Sequence, residues 1–497
     1  MKSSFSNALY AAPFIILLLT LGLARTSVAQ TNYYVATTGN DSTGNGSMAS
    51  PWATIAHAST KVGPGATVNV AAGVYNGSFN TTASGTASAY ITYVANTANF
   101  SGPVNCAQIA AGQGNLATCP RIVGVSSSTW VNSGNYVAIK GFDVTGPGIN
   151  GIYTEGNATI VSGNHVHNIL TATCNSTGGS GININGTNAQ VTGNYVHNIG
   201  PFPTACGYVQ GIYFLQAGGF AENNISFANS GFGIQLWHYP AHVSLINNTL
   251  FNNASGGLVL GTDDAFTVDY IYVANNLISN NGGEGISEQG GSSNSTGIHN
   301  IYTNNLVYGN AGGSISLMNG LTASSTVTGA PQFVNYTGTA TGNYHLTSTS
   351  PAIKAAANTA PATDFDGVAR PQNGGYDIGA YQYVGGSTPP PAEPVVTLSS
   401  SLLSFATTSV DSTSAVGLVT LTNTGTVPLT FTRNFVVSGP FAFGGKGTCA
   451  MTVAAQASCT ISAVFKPTAT GASAGAVTLT DNAGSGTQVL TLSGTGK

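Results

Sequence analysis

A chain of 497 residues with 5% charged side chains, 66 glycines and 42% apolar or aromatic residues is neither a charge-patterned helical bundle nor a disordered polymer. Its 11 basic and 15 acidic residues form no basic patch, which excludes nucleic acid as a partner. The abundance of Gly, Asn, Ser and Thr points to many short strands joined by tight turns.

Taken in chain order, residues 1–29 come first. Lys2 precedes an apolar run at 11–24 (AAPFIILLLTLGLA), and Val28-Ala29-Gln30 forms a small-residue cleavage region. The run is short for a membrane span of ~20 residues, so it reads as a signal peptide rather than a retained anchor. No later stretch is long and apolar enough to cross a bilayer. The expected location is therefore secreted, outside the cell or at its surface, and the expected state is a monomer. Export favours disulfides, and the six cysteines form three sequence-local pairs: Cys106 with Cys119, Cys174 with Cys206, and Cys449 with Cys459. None has the CxxC spacing of a zinc site.

Next comes a cap. Ser50 is placed to N-cap a short helix with Pro51 at its first position and Trp52, Ile55 and Ala56 on its apolar side. Gly63-Pro64-Gly65 would end it, and ATVNVAAGVY (66–75) would begin the first strand.

A repeat then dominates the chain. One half-repeat reads Gly followed by a branched residue, at Gly151, Gly181, Gly211, Gly233, Gly257 and Gly285. The other begins with Asn at Asn164, Asn194, Asn223, Asn247, Asn275 and Asn304, spaced by 30, 29, 24, 28 and 29 residues. Coils of this length, with two or three short strands each, make a right-handed parallel β-helix over 30–384. Alternation along a strand predicts one inward ladder of Ile152, Ile182, Ile212, Ile234, Leu258 and Ile286. A second, of Val166, Val196, Ile225, Leu277 and Leu306, is interrupted by Thr249.

YYVATTGNDSTGNGSMASPWATIAHA followed by GPGATVNVAAGVYNGSF resembles the opening of secreted pectate-lyase-like β-helix proteins. SPAIKAAANTAPATDFDGVARPQNGGYDIGAYQY (350–383) is similar to the choice-of-anchor Q segment, which implies a terminal cap at 350–384. Residues 385–394 (GGSTPPPAEP) form a Gly/Pro linker. Beyond it, alternating short strands over 395–497 predict an antiparallel β-sandwich. LTNTGTVPLTF and CTISAVFKPTATGASAGAVTLTDNA resemble the choice-of-anchor D, or ASH-like, immunoglobulin-type module, an accessory or attachment domain.

The resemblance implies carbohydrate chemistry without naming a reaction. Calcium-dependent lyases of this superfamily use an acidic calcium cluster and a Lys or Arg base, yet there is no Lys or Arg between Lys140 and Lys354. Calcium stays an open possibility, and no other cofactor is expected. Arg121, Lys140, Lys354 and Arg370 lie at the two ends of that stretch. Counted from each repeat's Gly, Trp237, His238 and Tyr239 stack near Asp263 and Asp264, with Glu288 one coil on. Asp263, Asp264 and Glu288 are the candidate catalytic carboxyls, since glycoside hydrolysis uses an acid pair ~5–9.5 Å apart. Trp237, His238, Tyr239, Tyr213 and Gln235 are the candidate sugar-contacting residues. GTDDAF (261–266) is similar to the paired-Asp motif of β-helix polygalacturonases, whose remaining motifs are absent. The competing reading is that Asp263 and Asp264 cap a turn. His165, His167 and His197 with Tyr195 form a second constellation, suited to acid–base work, metal binding or plain surface stacking. Two functions follow: a secreted hydrolase or lyase of an extracellular polysaccharide, or a non-catalytic adhesin or glycan-binding protein tethered by its C-terminal module.

Overall fold

The structure, a computed structural model, describes residues 31–497 apart from 126, 171–173, 292–294, 386–393, 395, 424–427, 433–434, 455–456 and 484–485. The expected signal peptide and most of the expected linker lie outside the described residues. Among the described residues no helix is long and apolar enough to cross a membrane.

The chain is all-β. Its larger part winds through three parallel sheets of 10, 9 and 9 strands, one strand per sheet in each coil. The Gly half-repeat supplies the second sheet and the Asn half-repeat the third. The first sheet lies between them in the path of the chain, through strands such as Ala189–Thr192 and Ser244–Ile246. The inward ladder Ile152, Ile182, Ile212, Ile234, Leu258 and Ile286 forms in register, each residue no more than 1% exposed. The repeated glycine is a steric requirement. A Cβ on Gly257 would sit 2.3 Å from Ile278 Cγ2 and 2.6 Å from the carbonyl oxygen of Gly285 in the next coil.

The second ladder is corrected. Val196 pairs with Ser226, then Leu250, Ile278 and Val307, so these residues face inward. Ile225, Thr249, Leu277 and Leu306 face outward beside Tyr195. The two asparagines of each NN pair divide the work. The second asparagines, Asn224, Asn248, Asn276 and Asn305, continue a buried amide ladder from Asn164 and Asn194 at 2.9–3.1 Å. The first, Asn223, Asn247, Asn275 and Asn304, take positive φ, where the earlier coils place Gly163 and Gly193.

Those first asparagines turn outward and hold the 350–384 segment. Their amides donate to the carbonyls of Thr363, Asp377 and Gly379, Ala357 and Ala355. The segment therefore lies along the outer face of the third sheet and does not cap the end of the stack. Phe365, Ala380 and Tyr381 pack with Tyr195, Ile225, Phe227 and Phe251, while Ala352 and Ile378 pack with Leu277 and Leu306. Leu317, Leu321 and Ala323 pack against the interior core near the last coil.

At the N-terminal end the helix is Ile55–Ser59, and its N-cap is Thr54, which accepts from the His57 N–H; Ser50 does not cap it. Asp41 receives the Ala53 and Thr54 N–H groups just ahead of it. All three expected disulfides form. The C-terminal part contains two four-stranded sheets, largely antiparallel, around Val419, Leu421, Phe465, Val477 and Leu492.

Candidate functional site

Trp237 ends the strand Phe232–Trp237. The chain then turns at His238, whose φ is +79°, and this swings its imidazole across to the next coil. Thr262 ends the adjacent strand, and its hydroxyl accepts the Asp264 N–H at 2.9 Å, which fixes that turn. His238 Nδ1 and Asp264 Oδ2 meet at 2.7 Å, with side chains 41% and 34% exposed. Tyr213 and Tyr239 rings lie 6.2 Å from the His238 ring, and Phe266 packs edge-on to Tyr239 at 5.6 Å. Burial, and then the Asp264 charge, push the Tyr213 hydroxyl well above the ordinary phenol range. Asp263 is exposed, and Trp237 stands in register with Gly261 and Gln289.

Glu288 does not join this patch. It pairs with Leu260 on the inward side of its strand and is 5% exposed. It accepts from Tyr302 OH (2.5 Å), Asn300 Nδ2 (2.9 Å), Met318 N–H (2.8 Å) and Thr296 Oγ1 (3.2 Å). Its place is one of satisfying buried donors inside the stack. Gln235, expected to contact sugar, is only 7% exposed and does not reach the patch surface. The patch thus reduces to Asp263, Asp264, His238, Trp237, Tyr239 and Tyr213.

Calcium does not fit it. Calcium takes six to eight oxygen ligands. The patch has two carboxylates, one of them engaged by His238 and Thr262. Among the described residues, the one set of three or more His, Cys, Asp or Glu that converge is histidine-only.

That set is the second constellation, on the outer face of the third sheet. His165 pairs with Tyr195 and His167 with His197, as alternation predicts. Asp143 and Arg121, which sequence reading did not join to the group, complete it from the two preceding coils. Arg121 Nε lies 2.6 Å from Asp143 Oδ2, and His167 Nε2 lies 2.9 Å from Oδ1. His165 Nδ1 also lies 2.9 Å from Oδ1, though not aligned for a hydrogen bond. Burial would raise the Asp143 carboxyl, but its histidine contacts outweigh that and hold it well below the usual carboxylate range. Burial drives His165 down to about 4, and His197 well below its ordinary value. The usable signal was register: FDV at Phe142 aligns with NHV at Asn164, which puts Asp143 directly beneath His165. A further exposed stack, His242, Tyr270 and His299 with rings 4.7 and 4.6 Å apart, crosses the same group of turns as His238 and Asp264.

The three stacked parallel sheets define a right-handed parallel β-helix protein. A family model for a right-handed β-helix region matches residues 129–329. No curated protein sequence matches the chain. Among solved structures, pectate lyase Pel9A is 18% identical, with a TM-score of 0.48, covering 72% of this chain and 98% of that one. A rhamnogalacturonan lyase is 16% identical, with a TM-score of 0.39, covering 61% and 91%.

Proposed function

We propose that this is an extracellular protein that binds a polysaccharide across the Trp237–Tyr239 and Asp263–Asp264 turns and moves a proton there through His238. The observation that carries the reading is the half-exposed His238–Asp264 pair at 2.7 Å, flanked by the Tyr213 and Tyr239 rings and next in the chain to Trp237. A carboxylate on one imidazole nitrogen fixes the tautomer and makes the other nitrogen a better base. With Glu288 inside the stack, the carboxyls left on the patch are the adjacent Asp263 and Asp264, and Asp264 is already held by His238 and Thr262 rather than free to act as half of a hydrolase pair. Proton abstraction next to a uronate carboxyl, as in a lyase, suits a His–Asp pair better. Export is supported by the pattern of residues 1–29 and by the three disulfides. Residues 395–497 then serve as an immunoglobulin-type attachment module.

A second reading, glycan binding without catalysis, draws on the lack of any Lys or Arg between Lys140 and Lys354 to neutralise a uronate. The deciding experiment incubates the protein with neutral and acidic polysaccharides and follows reducing ends and unsaturated-uronate absorbance together. Both signals, reduced at least ~100-fold in His238→Ala and Asp264→Asn, support the lyase. Reducing ends alone indicate a hydrolase. Binding without product, weakened by Trp237→Ala, establishes the glycan-binding reading.

A further inference from the structure

The His165, His167 and His197 cluster lies on a different sheet from the proposed glycan patch, and nothing in that function uses it. Its candidate ligand nitrogens all lie within 4.8 Å of one another. His165 Nε2 and His197 Nε2 face each other at 2.9 Å. Two nitrogens on one tetrahedral zinc, each bonded at ~2.0–2.1 Å, sit about 3.3 Å apart, so a small opening of this pair admits an ion.

Protonation points the same way. His197 Nδ1 lies 3.1 Å from the Asn198 side-chain oxygen, an acceptor, so a proton on Nδ1 leaves Nε2 free to coordinate, and an ion would take the place of the proton shared between the Nε2 atoms of His165 and His197. Behind the rings stands Asp143, fully buried, within 2.9 Å of both His165 and His167 and tied to Arg121. A carboxylate behind a histidine is the usual arrangement that orients imidazole ligands and strengthens their donation. Phe227 stacks on His197 at 4.9 Å and Tyr195 packs against it, keeping water from the inner side. His167, with its side chain 12% exposed, marks the open side.

We propose that His165, His167 and His197 bind one divalent first-row transition ion such as Zn²⁺, with Asp143 as the orienting carboxylate. Three imidazoles select such ions over calcium or magnesium, which prefer oxygen. His167 stacks parallel on His165 with ring centroids 4.0 Å apart, its Nε2 on Asp143 and its Nδ1 on the Asn168 amide, so it must rotate and exchange one of those contacts for the ion, and Asp143 then orients His165. The site differs from the glycan patch in sheet and in residues, so either assignment can fail alone.

The test uses the full chain without a histidine tag, stripped with a chelator and titrated with Zn²⁺ and Co²⁺. One equivalent should bind, the thermal midpoint should rise and fall again with chelator, and Co²⁺ should give the visible absorbance of a low-coordinate nitrogen site. His197→Asn should weaken binding more than ~100-fold and Asp143→Asn by ~10–100-fold. Because His197 and Asp143 are buried and their variants could fail to fold, His167→Ala is the second variant, with the same expected loss. His242→Ala, outside the cluster, should bind as the wild type does. A folded wild-type chain that takes up no ion, or binds no better than His167→Ala, overturns the proposal and leaves a hydrogen-bonded histidine network.

Discussion

Glu288 and Asp264 are both acidic and one coil apart, and their surroundings give them opposite roles. Glu288→Ala would strand Tyr302 OH and the Met318 N–H without an acceptor and leave the Asn300 amide with the Val268 carbonyl alone. A loss of about 3 kcal/mol or more is expected in denaturant melts, since each buried unpaired donor is costly. Asp264→Asn, on the half-exposed patch, should change stability by less than ~0.5 kcal/mol while removing activity. Glu222, half-buried on the first sheet, shows a third behaviour. Burial holds its carboxyl above the ordinary value. A folded pKa above the unfolded one means that its contribution is fully present at low pH and is lost as pH rises through the folded value. Glu222→Gln should therefore raise the melting temperature at pH 7 by about 1–3 °C and leave it unchanged at pH 4.

At the scale of the strand and turn, the glycine positions separate two kinds of constraint. Gly257→Ala drives a methyl into Ile278 and the Gly285 carbonyl, so overpacking should cost about 2 kcal/mol or more. Gly193 has φ +60° and open space where a Cβ would stand, so Gly193→Ala should cost only ~1 kcal/mol of backbone strain. Equal losses in chemical denaturation would remove this distinction. The same elements show what was legible in the chain. The second sheet was readable because Ile152 to Ile286 alternate with polar or small outward neighbours such as Tyr153, Asn183 and Ser287. The third sheet was not, because Ile225 and Leu277 are apolar on its outer face as well, where residues 350–384 cover them. With both faces apolar, alternation loses its phase, and the doubled asparagines allowed a one-residue slip, which exchanges the two faces. Glu288 was misplaced although its side was legible: it lies two residues after the inward Ile286, so the alternation that predicts that ladder also puts Glu288 inside the stack. Asp143 escaped notice because its coil carries Gly141-Phe142 where the later ones carry Asn.

Across the whole molecule, the 350–384 segment returns along the coils and converts part of the third sheet's outer face from a surface into an interior. It touches residues from Tyr195 to Leu306, so it ties together coils that otherwise meet only their immediate neighbours. Asn247 and Asn275 fasten it through the carbonyls of Asp377, Gly379 and Ala357 and through the Ala357 N–H. Replacing both with alanine takes one donor from the Asp377 and Gly379 carbonyls, which keep Arg370, and unpairs the Ala357 carbonyl from its side-chain donor and the part-buried Ala357 N–H from its acceptor, at about 1 kcal/mol for each group left unpaired. If the segment is a strap on a self-sufficient solenoid, the double variant should expose 350–384 to protease and rapid amide exchange. The amides of the Ile212 and Ile234 strands should then stay protected, since those strands hydrogen-bond only within the stack. Uniform loss of protection across both regions would instead make the segment part of one cooperative unit with the coils. In that case the outward asparagines matter to folding as much as the buried ladder beside them.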